Sequence, residues 1–158
     1  MISEGPILVT GATGFIGGFI TAELLRRGVR IIAPIRPRGD RSPGDRAKAL
    51  LNFFGLPPYS PLEAVEGYVE RPGMGLAESE ARRIRKEVDT VMHCAADTSF
   101  AARRRNRVHW VNVLGLENVF EAVGGCSRFW QMSTAYSVGS KPGTYAEELR
   151  PVRELNNQ

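Results

Sequence analysis

The chain has 158 residues, room for one domain, since a domain of about 150 residues buries roughly two-thirds of its unfolded surface. Its 42% apolar and 24% charged residues are ordinary for a globular protein, and no run approaches the roughly 18 apolar residues of a membrane span. The net charge of +4 is too modest to mark a nucleic-acid binder. Glu78, Glu80 and Glu87 dilute the basic cluster at residues 82–86, and the cluster at residues 103–107 has no aromatic residues interleaved for base stacking.

Residues 6–20 are interrupted by Gly11, Gly14, Gly17 and Gly18 and lack a basic start, so they do not read as a signal peptide, and a cytoplasmic location is expected. Cys94 and Cys126 lie in apolar surroundings without the spacing of a zinc site and are expected to be buried thiols.

In chain order, residues 6–10 form an apolar run ending at glycines, the pattern of a strand buried on both faces. From Gly14 to about Arg27 apolar residues recur at helical spacing, and Gly28 supplies a stop. Residues 29–35 read as a second buried strand, closed by the turn-forming stretch 36–40. Residues 45–54 read as helix, 64–69 as the third strand, 77–87 as a charged helix and 88–94 as the fourth strand. Residues 108–123 have helical periodicity and stop at Gly124, and residues 128–133 supply a fifth strand. Strands alternating with helices imply an α/β fold of Rossmann type, a parallel sheet of order 3-2-1-4-5 with helices on both faces. Ligands bind such sheets at the carboxyl ends of the strands where the order reverses, here between the first and fourth.

The stretch Thr10-Gly11-Ala12-Thr13-Gly14-Phe15-Ile16-Gly17 lies at that point, between strand and helix. Gly11 serves the tight turn, Gly14 the close approach of a pyrophosphate and Gly17 the packing of helix on strand. Thr13, Phe15 and Ile16 complete the loop and helix N-terminus, whose unpaired N–H groups attract phosphate. The chain is thus expected to bind a dinucleotide. Arg36 stands at the end of the second strand, where a site for NAD carries a carboxylate. A guanidinium there suits a 2′-phosphate and so NADP(H), with Arg46 as a candidate second contact.

These residues resemble the extended short-chain dehydrogenase/reductase superfamily. Residues 87–100 (EVDTVMHCAADTSF) and Gly73-Met74-Gly75-Leu76 look like its thioester reductase and fatty acyl-CoA reductase branch. Asn112-Val113-Leu114-Gly115 and residues 131–136 (QMSTAY) match further blocks. The resemblance implies that Ala95 and Ala96 line the cofactor ribose. It places Thr134 as the hydroxyl donor to a substrate carbonyl, with Ser133 as the alternative, and Asn112 in a structural role. His93 and His109 are read as core or surface histidines.

Two departures stand out. Gly67 is followed by Tyr68, where the family has an adenine-contacting Asp. The family's Tyr-x-x-x-Lys proton donor is missing too, since Tyr136 is followed by Ser140 with Lys141 one place too far, and Tyr145 by Leu149. The chain is therefore expected to be a truncated NADP(H)-binding domain, residues 1–158, of a reductase that converts an acyl thioester to an aldehyde, inactive by itself. Alternatives are a nucleotide-sugar epimerase or dehydratase of the same fold and a non-catalytic NADP-binding sensor. The sheet edge beyond the fifth strand is a candidate surface for homo-oligomer formation.

Overall fold

The computed structural model describes residues 5–133 and 143–146. Five strands, β1 (Ile7–Thr10), β2 (Ile31–Ile35), β3 (Leu62–Glu66), β4 (Thr90–His93) and β5 (Arg128–Gln131), form one parallel sheet in the order β3-β2-β1-β4-β5. The helices are α1 (Phe15–Arg26), α2 (Pro43–Phe53), α3 (Glu78–Glu87), α4 (Arg105–His109) and α5 (Gly115–Val123). None of the described helices is long and apolar enough to cross a membrane.

Successive side chains of a strand point to opposite faces, and this divides the core in two. Ile7, Val9, Ile31, Ala33 and Ile35 face Leu25 of α1 and Ala47 and Leu51 of α2. Leu8, Ile32, Val65 and Val91 face Ile84 of α3 and Val119, Ala122 and Val123 of α5. The central strands are buried on both sides, which is why they read as unbroken apolar runs. The sheet is the Rossmann arrangement expected from the sequence.

Some boundaries differ from the reading, each for a local reason. Helix α2 begins at Pro43 rather than residue 45, because Ser42 and Asp45 form a reciprocal cap: the Asp45 N–H donates to Ser42 Oγ (3.1 Å) and the Ser42 N–H to Asp45 Oδ2 (3.1 Å). Strand β3 ends at Glu66, not residue 69, because its partner β2 ends at Ile35 and pairs it in register. Beyond it the Tyr68 N–H turns back to the Met74 carbonyl (2.7 Å), and a short 3₁₀ turn at Pro72–Gly75 follows. The helix expected over 108–123 starts earlier, after a 3₁₀ turn at Ala102–Arg104, and a π-turn at Trp110–Leu114 joins α4 to α5. Its first residues are polar and exposed, so no apolar stripe announced them.

In the basic cluster of α3, Arg82 and Arg83 are held by carboxylates, while Arg85 Nε donates to the Ala122 carbonyl (3.2 Å). Arg83 pairs with Glu63, Glu80 (2.9 Å) and Glu87 (3.5 Å), and Glu80 above all holds its guanidinium firmly protonated. Cys94 and Cys126 are free and half-buried, less enclosed than expected, and burial raises the Cys94 thiol pKa.

Pro34 shows how the site opens. The Ile31 N–H bonds the Pro61 carbonyl on the β3 side (2.9 Å), so by the period of two residue 34 would aim its N–H at β1. The β1–β2 ladder pairs only Ile7 with Ile31 and Leu8 with Ile32. Proline therefore stands inside a central strand at the level where the strands no longer pair, and it lines the cleft beside the glycine loop.

Candidate functional site

The glycine loop leaves β1 at Thr10 and enters α1 at Phe15. Gly11 has φ +69°, and a Cβ there would sit 2.6 Å from the Ala95 nitrogen, so it serves both the turn and the crossing of the β4 loop. At Gly17 a Cβ would lie 2.2 Å from the Gly11 carbonyl oxygen, which leaves glycine as the residue that lets α1 close on the loop. The loop is tied by the Gly14 N–H to the Gly11 carbonyl (2.8 Å). Helix α1 carries no side-chain cap at Gly14 and no acidic residue in its first turn, so its first N–H groups keep their donor capacity and partial positive charge. A diphosphate fits this cradle by shape and by charge.

Four arginines gather beside it. Arg46, from the first turns of α2, donates through Nη2 to Thr13 Oγ1 (2.6 Å) and through Nη1 to the Arg36 carbonyl (2.5 Å), linking the glycine loop to the end of β2. Burial chiefly, then the charges of Arg36, Arg38 and Arg41, lower its pKa. Arg38 and Arg41 form a tight backbone bridge. Arg36 reaches Glu70, Nη1 to Oε1 at 3.7 Å.

Thr10, at the base of the loop, is fully buried, and its Oγ1 lies 2.7 Å from His93 Nδ1 and accepts the Ala95 N–H (3.3 Å). The network balances with the hydroxyl donating to Nδ1 and the ring proton on Nε2, as burial favours by lowering the His93 pKa. Thr10→Val should lower the unfolding free energy by about 2 kcal/mol, because it strands the buried His93 Nδ1 and the part-buried Ala95 N–H. Urea unfolding at neutral pH checks this, and a loss below about 0.5 kcal/mol would mean that the dyad does not hold the β1 and β4 loops together.

The loop after β4 is set by α4 and the π-turn. Asn112 Oδ1 accepts the Asp97 N–H (2.8 Å) and Nδ2 donates to the Asp97 carbonyl (3.0 Å), while Arg107 Nε meets the Asp97 carboxylate at 2.9 Å. The structural role read for Asn112 is thus visible as a two-point clamp. Nothing in the sequence singled out Arg107, which stands in a basic run without a motif. Glu70 also lacked any signal, and the topology alone carries it to Arg36.

Two cavities share Gly14 and the segment from Cys94 to Thr98 and form a trough over the carboxyl ends of the strands. The polar half holds Gly11, Thr13, Arg36, Arg46, Tyr68 and Glu70 together with Ala95 and Ala96. The apolar half adds Phe15, Ile16, Phe100, Val108, Met132 and Ser133. The structure therefore brings the expected cofactor residues to one trough. His93 is core and His109 exposed. Thr134, the expected carbonyl donor, and Tyr136 lie outside the described residues. Tyr68 is half-buried at the rim, with its hydroxyl on Glu66 (2.8 Å) and the Arg71 guanidinium 3.8 Å over its ring.

The family NAD_binding_4, described as Male sterility protein, matches residues 9–157. Among curated relatives, "Fatty acyl-CoA reductase 8" of Arabidopsis thaliana is 29% identical over 99% of this chain and 36% of its own length. "Non-canonical nonribosomal peptide synthetase cpsA" of Aspergillus campestris is 29% identical over 83% of the chain and 13% of its own length. The chain thus spans about a third or less of these relatives. Among solved structures, the terminal R domain from the myxalamid PKS-NRPS biosynthetic pathway superposes with a TM-score of 0.78 at 27% identity, covering 99% of this chain and 42% of that one. A UDP-glucuronic acid 4-epimerase from Bacillus cereus, in complex with NAD, reaches 0.67 at 21% identity over 95% and 48% of the two chains, a likeness of fold alone. With the family matched across residues 9–157 and a glycine loop whose shape suits a diphosphate, the chain belongs to the Male sterility family and carries its NAD(P)-binding region.

Proposed function

We propose that this chain is the NADP(H)-binding domain of a reductase that converts an acyl thioester to an aldehyde. The observation that carries the cofactor choice is the pair Arg36 and Arg46 in the polar half of the trough, with Arg38 and Arg41 in the adjoining cavity and no carboxylate at the end of β2. Gly11, Gly14 and Gly17 with the N–H groups of Phe15 and Ile16 would hold the diphosphate. Arg36 and Arg46 would hold the 2′-phosphate, and Ala95 and Ala96 would line the ribose.

When bound, the cofactor would supply a hydride to the thioester carbonyl carbon, and cleavage of the C–S bond would leave an aldehyde and a thiolate. The chain's own part is to orient both reactants over the strand ends, with the apolar half of the trough excluding water from the acyl group. A hydroxyl from Thr134 or Ser133 would donate to the carbonyl oxygen as charge develops. The names of the reductase relatives support the substrate class, and the apolar lining from Phe15 to Met132 suits it. A cytoplasmic location belongs to the same proposal, in keeping with the two free cysteines.

Calorimetric titration of the chain and of Arg36→Ala with NADPH and NADH tests the reading. NADPH should bind tighter, and the variant should lose about 10- to 100-fold of NADPH affinity while NADH binding stays within about twofold, as expected for a charge-assisted phosphate contact. Equal losses for both dinucleotides would remove Arg36 from the 2′-phosphate.

A further inference from the structure

We infer that Glu70 is a selectivity residue of this cleft, a carboxylate that competes with a 2′-phosphate for Arg36 and holds a ribose hydroxyl when the phosphate is absent. The inference rests on the cofactor reading above and deepens it.

The end of β2 lacks the acidic residue of an NAD site, but the fold returns one from the neighbouring strand. Glu70 lies four residues past the end of β3, lines the same cavity as Arg36 and Arg46, and brings Oε1 to 3.7 Å from Arg36 Nη1. Among the described residues it is the one carboxylate ion-paired with the four-arginine cluster. Its backbone is not free to swing away. The Val69 carbonyl accepts from Asn118 Nδ2 of α5 (2.8 Å), the Tyr68 N–H is bonded to Met74, and the Arg71 N–H donates to the Tyr68 carbonyl (3.0 Å). Residues on both sides of Glu70 are pinned, so the fold keeps its carboxylate at the mouth of the polar half.

The pair is loose and partly exposed, with side-chain accessibilities of 50% for Arg36 and 28% for Glu70, so a ligand can displace it at small cost. A 2′-phosphate brings nearly two negative charges to Arg36 but must lie beside the Glu70 carboxylate. A ribose with free hydroxyls instead donates to that carboxylate, the chemistry by which NAD sites hold the sugar. The same residue thus weakens NADP(H) and strengthens NAD(H), which narrows the preference that the arginines set.

The test is calorimetric titration of the chain, Glu70→Gln and Arg36→Ala/Glu70→Gln with NADPH and NADH, and with 2′,5′-ADP and 5′-AMP as probes without nicotinamide. Glu70→Gln should raise NADPH and 2′,5′-ADP affinity about fivefold, the upper range for an exposed charge pair, and lower NADH and 5′-AMP affinity by roughly threefold. The NADPH gain should fall below about twofold when Arg36 is also removed. Thermal unfolding should be unchanged, since the side chain is at the rim. A purely structural Glu70 would move both dinucleotides together. An NADPH to NADH ratio within twofold of the parent chain's would overturn the inference and leave the cofactor reading standing. If the unaltered chain binds neither dinucleotide, the cofactor reading falls and the inference with it.

Discussion

Replacing Gly17 by alanine is expected to lower the unfolding free energy by about 3 kcal/mol, a fall in Tm of roughly 10 °C for a chain of this size, and to abolish dinucleotide binding. The added Cβ would stand 2.2 Å from the Gly11 oxygen and 2.8 Å from the Gly11 carbon. Both are backbone atoms of the turn, so no rotamer change relieves the contact and either α1 or the loop must move. Each movement would damage the proposed diphosphate cradle, which the N-terminus of α1 and the loop make together. Gly44→Ala is the control of opposite sign. Gly44 lies in the first turn of α2, its added Cβ would meet nothing nearer than Ser42 Oγ at 3.7 Å, and it should gain up to about 1 kcal/mol in helix propensity. Urea unfolding of both variants with NADPH titration decides it. A Gly17→Ala protein as stable as the parent would show that α1 does not close on the loop as described.

The second large effect is expected at Arg46. Arg46→Met keeps most of the aliphatic stem but removes the donors to Thr13 Oγ1 and to the Arg36 carbonyl. NADPH affinity should fall about 30-fold and NADH affinity about fivefold, since two charge-assisted hydrogen bonds are lost and the loop and the end of β2 come apart. This pattern differs from that of Arg36→Ala, where NADPH alone should suffer. The distinction follows from position: Arg46 is half-buried and its guanidinium is engaged with the protein, while Arg36 is exposed. Titration of the two variants side by side separates a residue that only contacts the phosphate from one that also anchors the loop. Equal effects on NADPH, with none on NADH in either, would reduce Arg46 to a second phosphate contact.

Much of the site lay open in the sequence because its chemistry is local. The glycine spacing between a buried strand and a helix needs only the backbone geometry of one βαβ turn, and Gly11, Gly14 and Gly17 fall where that geometry puts them. The apolar runs at Ile7–Thr10 and Ile31–Ile35 report burial on both faces, which in turn requires helices above and below. The ends of elements were harder. The Ser42–Asp45 cap advanced α2, and pairing with β2 rather than hydrophobicity stopped β3. In the helical run from Arg105, polar and exposed at its start, periodicity gave no sign of the π-turn that presents Asn112 to Asp97.

By itself, then, the sequence determined the sheet order, the phosphate loop and the kind of ligand, all consequences of short-range pattern and of the rules for parallel crossovers. Only the tertiary structure decided which distant residues meet. Glu70 reaches Arg36 because β3 lies beside β2, Arg46 joins Thr13 to Arg36 because α2 returns across the glycine loop, and Arg107 joins Asp97 because the loop after β4 folds back on α4. Side-chain pairing across 10 to 34 positions depends on packing angles and registers that no local pattern encodes, and the balance of charge in the cleft is set there.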